Sequence, residues 1–286
     1  MKGIILAGGT GSRLFPVTLS ISKQLLPIYD KPMIYYPLSV LMLAGIKDVL
    51  IISTTDSKYL FESLFQDGSY LGMNIQYASQ DKPNGIAEAL LIGENFVQDD
   101  QYALILGDNL FHGQGFMQLL KEAKNSSFGA RVFGYRVKKA NRYGVVTLDH
   151  QKKPISLIEK PSDPTSNIAV TGLYFYDHKS IAYAKNLTPS DRGELEISDI
   201  NRLYLQNNDL DVFLLGRGVA WLDAGTHESL LSASEFIHTI EERQGFKIAC
   251  IEEIAFLNGW IGKEDLIRFS KKYNNSYGKY LEDLTV

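Results

Sequence analysis

Short apolar runs, each closed by a glycine or an acidic residue, recur along the first half of the chain. Lys2–Ala7 (KGIILA) is almost wholly apolar and stops at Gly8-Gly9-Thr10-Gly11, as a buried strand entering a tight loop does. The same pattern predicts strands at 48–54 (DVLIIST), 74–79 (NIQYAS), 102–108 (YALILGD) and 130–137 (ARVFGYRV). Between them lie runs of helical period: 32–45, closed by Gly45 as a C′ glycine, then 58–65, 85–96 and 116–124. Pro37 inside the first of these predicts a kink or a later start. Strands alternating with helices of this length build βαβ units and a mostly parallel sheet.

From about residue 140 the pattern changes. GVVTLD, ISLIEK and IAVTGLYFY predict antiparallel additions to the sheet. A helix is expected at 194–207, then strands at DVFLLG and VAWLDAG, then a long helix from Thr226, as N-cap, to Gln244. The last forty residues are helical in pattern. The fold class is therefore α/β, a Rossmann-like mixed but mostly parallel sheet flanked by helices, with antiparallel additions and a C-terminal helical appendage. The expected division is a catalytic domain over 1–240 and an appendage over 241–286 serving oligomerisation or regulation.

Composition narrows the function classes. With 45% hydrophobic and 22% charged residues and a net charge of −4, the chain has no basic face for nucleic acid or anionic membrane. The first apolar run is too short for a signal segment, no later one approaches a membrane span, and the single cysteine, Cys250, allows no disulfide framework. A cytoplasmic location is the expectation.

In open α/β sheets, ligands sit outside the carboxyl ends of the strands. Two such ends carry chemistry: Gly8–Arg13 and Gly107-Asp108-Asn109. The first fits neither common phosphate loop. Leu14 stands where a dinucleotide fingerprint needs its third glycine, and no Walker sequence exists in the chain. Its glycines still allow backbone N–H groups to approach an anion, and Arg13 and Lys23 follow closely. A simple strand-to-helix turn is the competing reading. Asp108 and Asp223 each end an apolar run, where a lone carboxylate is costly to bury. Together they can share one Mg²⁺, which takes few protein carboxylates and fills its shell with substrate oxygens. A turn or N-cap role is the alternative for each.

LAGGTGSRLFPVT followed by SKQLLPIYDKPMIYYPL resembles the signature of the sugar-1-phosphate nucleotidylyltransferases. QDKPNGIAEAL, ILGDNLF, RYGVV, IEKP, VTGLYFYD, RGELEISDIN and WLDAGTHESL agree in order, across nearly the whole chain. LGDN, KPNGIAEAL and RGELEISDIN favour the thymidylyl-transferring branch. The resemblance implies the nucleotidyltransferase fold and the condensation of dTTP with glucose 1-phosphate to dTDP-glucose and pyrophosphate. It places Arg13 on the triphosphate, Lys23 on the pyrophosphate side, Lys160 and Arg192 on the sugar phosphate, and Mg²⁺ on Asp108 and Asp223. The nucleotide would lie along Leu6, Gly8, Gly9, Thr10, Gly11, Arg13, Gln80, Pro83, Gly85, Ile86 and Asp108. Tyr143, Gly144, Glu159, Lys160, Val170, Tyr174, Arg192 and Trp221 would surround the sugar phosphate. A place in dTDP-rhamnose biosynthesis, a homotetramer and an allosteric nucleotide-sugar site at a subunit interface, with Gly216-Arg217-Gly218 and Glu252-Glu253-Ile254 resembling parts of it, are also implied.

The reaction asks for little acid–base chemistry, because a sugar phosphate is mostly dianionic near neutral pH. That agrees with histidines at 112, 150, 178, 227 and 238 that form no cluster in sequence. Two rivals stand beside this reading. One is a uridylyltransferase making UDP-glucose. The other is a non-catalytic sugar-nucleotide sensor, disfavoured because Arg13, Lys23, Asp108, Lys160 and Asp223 are all present.

Overall fold

The structure, a computed structural model, describes residues 1–285. Its strands are β1 (Lys2–Ala7), a short hairpin of β2 (Pro27–Ile28) and β3 (Lys31–Pro32), β4 (Asp48–Ser53), β5 (Asn74–Ser79), β6 (Tyr102–Leu106), β7 (Asn109–Gly113), β8 (Ala130–Arg136), β9 (Gly144–Leu148), β10 (Pro154–Glu159), β11 (Ile168–Tyr176), β12 (Leu210–Leu214) and β13 (Val219–Asp223). The helices are α1 (Tyr35–Leu43), α2 (Lys58–Phe65), α3 (Glu88–Ile92), α4 (Glu94–Val97), α5 (Phe116–Asn125), α6 (Lys179–Lys185), α7 (Ile197–Gln206), α8 (His227–Gln244), α9 (Ile251–Leu257), α10 (Lys263–Lys272) and α11 (Ser276–Asp283).

β1 lies between β4 and β6, parallel to both, and β5 extends the parallel block beyond β4. Ile5 packs into the core on one face of the sheet with Leu38, Leu41 and Phe61, and Ile4 and Leu6 pack on the other with Leu90 and Leu104. Burial on both faces is why this strand reads as a continuous apolar run rather than an alternating one. The antiparallel additions fall where the sequence expects them. β11 pairs antiparallel with β6 on one edge and β8 on the other, while β9 takes over from β6 at Ile168 and Ala169.

Several expected elements change in detail. The helix expected at 32–45 begins at Tyr35, so Pro37 falls in its first turn and breaks no helical hydrogen bond. Gly45, at φ 70°, does close it. The helix expected at 85–96 is two short helices meeting at Gly93, where a Cβ would lie 2.6 Å from Ile4 Cδ1. Close approach to β1 requires glycine there, and glycine weakens helix continuity. The helix expected at 194–207 starts at Ile197. β13 does not join the main sheet. It pairs antiparallel with β7, a strand the sequence does not announce because it follows β6 after only Gly107 and Asp108 and takes its partner from more than a hundred residues away.

The β2–β3 hairpin is tied to α8 by a closed ring of charges. Lys31 pairs with Asp30 and with Glu241, and Lys247 pairs with Glu241 at 2.7 Å and Asp30 at 2.5 Å. Lys31 and Glu241 are buried.

Candidate active site

The glycine loop leaves β1 and turns in a single 3₁₀ turn at Ser12–Leu14, with Gly9 and Gly11 at φ 93° and 62°. No α-helix follows it until Tyr35. An anion here meets loop N–H groups and side-chain cations, with no helix N-terminus behind the loop. A cavity of about 300 Å³ opens over Leu6, Gly8, Gly9, Gln80, Pro83, Gly85 and Ile86, with Arg13, Lys23 and Asp108 at one end. Gln80 is buried, and its Nε2 donates to Glu88 Oε2 at 2.7 Å and to the Gly85 carbonyl at 3.1 Å. Its carbonyl faces Gly8, where a Cβ would lie 2.7 Å from Oε1. Glycine at position 8 leaves that acceptor reachable.

Asp108 and Asp223 are brought together by the β7–β13 ladder, in which Asp223 is paired with Asn109. The Ala224 N–H donates to the Asp108 carbonyl at 3.1 Å. Burial opposes the charge on Asp108, but the Lys23 ammonium in contact with it, with Asn109 Nδ2 at 2.9 Å, holds its carboxyl below the usual range. Asp223 shifts the other way. Burial raises its carboxyl and the Asp108 charge raises it further, against Lys23, Arg13 and Arg142. Two carboxylates, one ionised at the other's expense, form a pair that a divalent cation relieves. Among the described residues no group of three or more His, Cys, Asp or Glu side chains converges. A two-carboxylate donor set fits Mg²⁺, whose remaining positions go to water and phosphate oxygens. Both Asp108 oxygens have protein partners in this arrangement, so Lys23 must yield Oδ2 for Asp108 to ligate through it.

A second cavity of about 250 Å³ shares Arg13, Ile86, Leu106, Asp108 and Glu194 with the first. Tyr143, Gly144, Glu159, Lys160, Val170, Tyr174, Arg192, Trp221 and Asp223 line it. The β9–β10 register sets Gly144 opposite Glu159. A Cβ on Gly144 would come within 3.2 Å of Glu159 Oε2. The Ser198 hydroxyl donates to that same oxygen. Lys160, next along the chain, has φ 41°, a left-handed conformation that a residue with a Cβ rarely adopts. Arg192 donates from Nη2 to both Glu196 oxygens at 2.7 Å and lies 3.8 Å from Glu159. Arg13 fills the space above Gly225, where a Cβ would meet its Nη2 at 2.7 Å and Asp223 Oδ1 at 2.9 Å. The result is one continuous cleft in which cations and carboxylates alternate, with Arg13 and Asp108 at the waist.

Comparison with known proteins agrees with this geometry. The family model described as nucleotidyl transferase matches residues 2–240. The chain is 57% identical to the glucose-1-phosphate thymidylyltransferase of Xanthomonas campestris, over 99% of this chain and 96% of that one. It is 54% identical to the enzyme of that name from Neisseria meningitidis, with 98% of both chains covered, and 50% identical to that of Mycobacterium tuberculosis, with 99% of both covered. This chain belongs to the nucleotidyl transferase family, among its glucose-1-phosphate thymidylyltransferases. A Bacillus anthracis chain solved in complex with a sucrose superimposes with a TM-score of 0.77 at 43% identity, over 82% of this chain and 94% of that one. A UDP-glucose pyrophosphorylase complexed with UDP-glucose shares the fold, with a TM-score of 0.75 at 24% identity, over 83% of this chain and 98% of that one.

For a transferase of this family, the cleft gathers nearly all the residues singled out in sequence. Thr10 and Gly11 are the exceptions. Neither lines a cavity, and Gly11 serves the turn through its carbonyl, which accepts from Thr18 Oγ1 at 2.8 Å. Trp221 and Tyr174 both line the second cavity while being buried. Sequence reading did not single out Asn109, Arg142, Glu194, Glu196 and Ser198 individually, though all line the cleft. Glu194, Glu196 and Ser198 lie within RGELEISDIN, and their fixed offsets from Arg192 were the available signal. Arg217 lines a separate cavity of about 700 Å³ with His112, Tyr135, Phe236 and Phe246. Glu252 does not reach it. It is buried under α11, accepting from Tyr277 Oη at 2.7 Å and Tyr273 Oη at 3.1 Å. Cys250 is also buried, and burial pushes its thiol well up, away from the reactive thiolate.

Proposed function

We propose that this chain condenses dTTP with glucose 1-phosphate, releasing dTDP-glucose and pyrophosphate. The observation that carries the reading is the shared waist of the two cavities, where Arg13 and Asp108 border the space over the glycine loop and the space over Glu159 and Lys160. The nucleotide lies over Leu6, Gly8 and Gln80, its triphosphate running toward Arg13 and Lys23. Gln80 spends its amide N–H groups on Glu88 and Gly85, which leaves its carbonyl to accept from the imide N–H of a thymine. The hexose lies against Glu159 and Gly144 with its phosphate between Lys160 and Arg192.

A phosphate oxygen of the sugar attacks the α-phosphorus in line, a new P–O bond forms, and the bond to the β-phosphate oxygen breaks. The attacking dianion needs no general base, and no histidine lines either cavity. The work is positioning and charge neutralisation. Arg13 holds the transferring phosphoryl group. Lys23, which faces Asp108 beforehand, takes up charge on the departing pyrophosphate. Mg²⁺ held by Asp108 and Asp223 would supply charge neutralisation and alignment of phosphate oxygens. We place the protein in the cytoplasm; no helix of the described residues is long and apolar enough to cross a membrane. We also propose a homotetramer through the 241–286 appendage, and a regulatory nucleotide-sugar at the Arg217 cavity.

The deciding test is turnover of glucose 1-phosphate with dTTP, UTP, CTP, GTP and ATP in turn. Preference for dTTP is expected; equal or better use of UTP would replace the thymidylyl assignment with a uridylyl one. An Asp108→Ala, Asp223→Ala double variant should release pyrophosphate roughly a thousandfold more slowly or worse, since metal charge stabilisation is worth several kcal/mol. Undiminished release would overturn the metal assignment.

A further inference from the structure

The segment that covers the base and the segment that carries Arg192 are far apart in sequence, yet they are joined by backbone hydrogen bonds. The Leu195 N–H donates to the Asn84 carbonyl at 2.7 Å, and the Ala87 N–H donates to the Leu195 carbonyl at 3.1 Å. The join depends on Gly85. Its φ is 106°, and a Cβ there would lie 2.4 Å from the Leu195 carbonyl oxygen and 2.6 Å from its nitrogen. No other residue type allows the two chains to run this close.

Each side of the join is locked to one substrate cavity. On the first, Gly85 receives Gln80 Nε2, and Asn84 Nδ2 donates to Glu88 at 2.8 Å, so the join moves with the base-reading residues. On the second, the Gly193 N–H donates to the Ser190 carbonyl at 2.7 Å and the Ser190 N–H to the Glu194 carbonyl at 2.9 Å. Arg192 is clamped to Glu196, one residue beyond Leu195, and Ser190 Oγ donates to the same carboxylate at 2.7 Å. Arg192 therefore follows Leu195. Asp81, Lys82 and Asn84 on one side and Asp191, Arg192 and Gly193 on the other are exposed, with little of their own packing to hold them. Ordering such loops costs backbone entropy, a cost that is met once if they order together.

We infer that the join of Asn84–Ala87 to Leu195 couples the two substrate subsites, so that an occupied nucleotide cavity sets Arg192 for the sugar phosphate. The inference rests on the functional reading above and makes Gly85 and Leu195 positioning residues for Arg192. Its dependence on the join is diagnostic. Two polyanions in adjoining cavities repel, and a bound cation offsets that repulsion whether or not the join is intact. Tightening that is lost when the join alone is broken identifies the link.

The test is calorimetric titration of glucose 1-phosphate into the full chain with Mg²⁺ throughout, with and without thymidine 5′-(α,β-methylene)triphosphate, which cannot transfer its nucleotidyl group and is held at a concentration shown to saturate each protein. In the native protein the analogue should tighten glucose 1-phosphate binding about tenfold. In Leu195→Pro, which lacks the donating N–H, and independently in Gly85→Ala, the ratio of the two affinities should fall to one or below. A purely structural lesion would weaken both titrations and leave the ratio unchanged. Hydrogen exchange in the native protein needs no variant: the analogue alone should slow exchange over 190–196. A native ratio of one, a ratio retained in both variants, or exchange unaltered by the analogue would overturn the coupling. Failure of the native protein to bind either ligand would overturn the functional reading itself, and the inference with it.

Discussion

Asn109 does more than its place beside Asp108 suggests. Its Nδ2 donates to Asp108, while its Oδ1 accepts from Trp221 Nε1 at 2.6 Å and from the Gly172 N–H at 3.1 Å. One buried amide thus fixes the proposed metal-holding carboxylate, an aromatic wall of the second cavity and the strand between them. Replacing Asn109 with Ala should leave two buried donors unpaired, each costing about 1–3 kcal/mol, so urea unfolding should show a loss of at least about 2 kcal/mol together with a fall in kcat. Unchanged stability would show that water repairs the site. Glycines act by absence in the same way. Gly8→Ala pushes a methyl into Gln80 Oε1, and the expected result is a rise in KM for the nucleotide with KM for glucose 1-phosphate little altered. The sequence marked Gly8 and Asp108 by their positions at strand ends. It did not mark Asn109 as a triple partner, because two of its three partners lie more than sixty positions away along the chain.

At the scale of elements, strand ends bring the chemistry to one rim, and the ring of Asp30, Lys31, Glu241 and Lys247 ties α8 to the hairpin that follows Lys23. Glu241→Gln would leave Lys31 buried with half its compensation, and a loss of about 3 kcal/mol in denaturant unfolding is expected. The ring also has a pH signature. Burial opposes the Asp30 charge, but Lys31 and Lys247 hold its carboxyl below the usual range. Its contribution is therefore present above about pH 4 and lost as pH falls through the lower folded value. Burial likewise opposes the Lys247 charge, but the hydrogen bonds it donates to Asp30 and Glu241 hold its ammonium above the usual lysine range. That contribution is present below about pH 10 and lost as pH rises through the higher folded value. Asp30→Asn should accordingly lower the unfolding midpoint at neutral pH and make its decline below about pH 4 shallower. An unchanged acid limb would remove Asp30 from the account. Pattern reading located β1, β4 and β6 because strands buried on both faces are apolar throughout, and the edge strand β5 because exposed Asn74 and Gln76 alternate with Ile75 and Tyr77. It missed β7, whose reason for being a strand is its distant partner β13.

For the whole molecule, a net charge of −4 surrounds a cleft lined by Arg13, Lys23, Arg142, Lys160 and Arg192. Two polyanionic substrates must approach an acidic protein and reach those cations among Asp108, Glu159, Glu194, Glu196 and Asp223, which line the same cleft. Raising ionic strength from about 0.05 to 0.5 M should lower kcat/KM severalfold, with kcat less affected, because screening acts on approach more than on bound charge. A salt-independent kcat/KM would mean that the cleft does not steer. The sequence by itself determined the parallel αβ core and the family, since these rest on periodicity and on residue types at short, fixed spacing. Only the tertiary structure decided that Asp108 and Asp223 line one cavity, the first carboxyl held down by Lys23 and the second pushed up by burial. It alone joined Gly85 to Leu195 and separated Glu252 from Arg217. Those facts depend on which distant segments share a ladder or a buried pocket, and burial and charge at such contacts are properties of the packed chain rather than of any stretch of it.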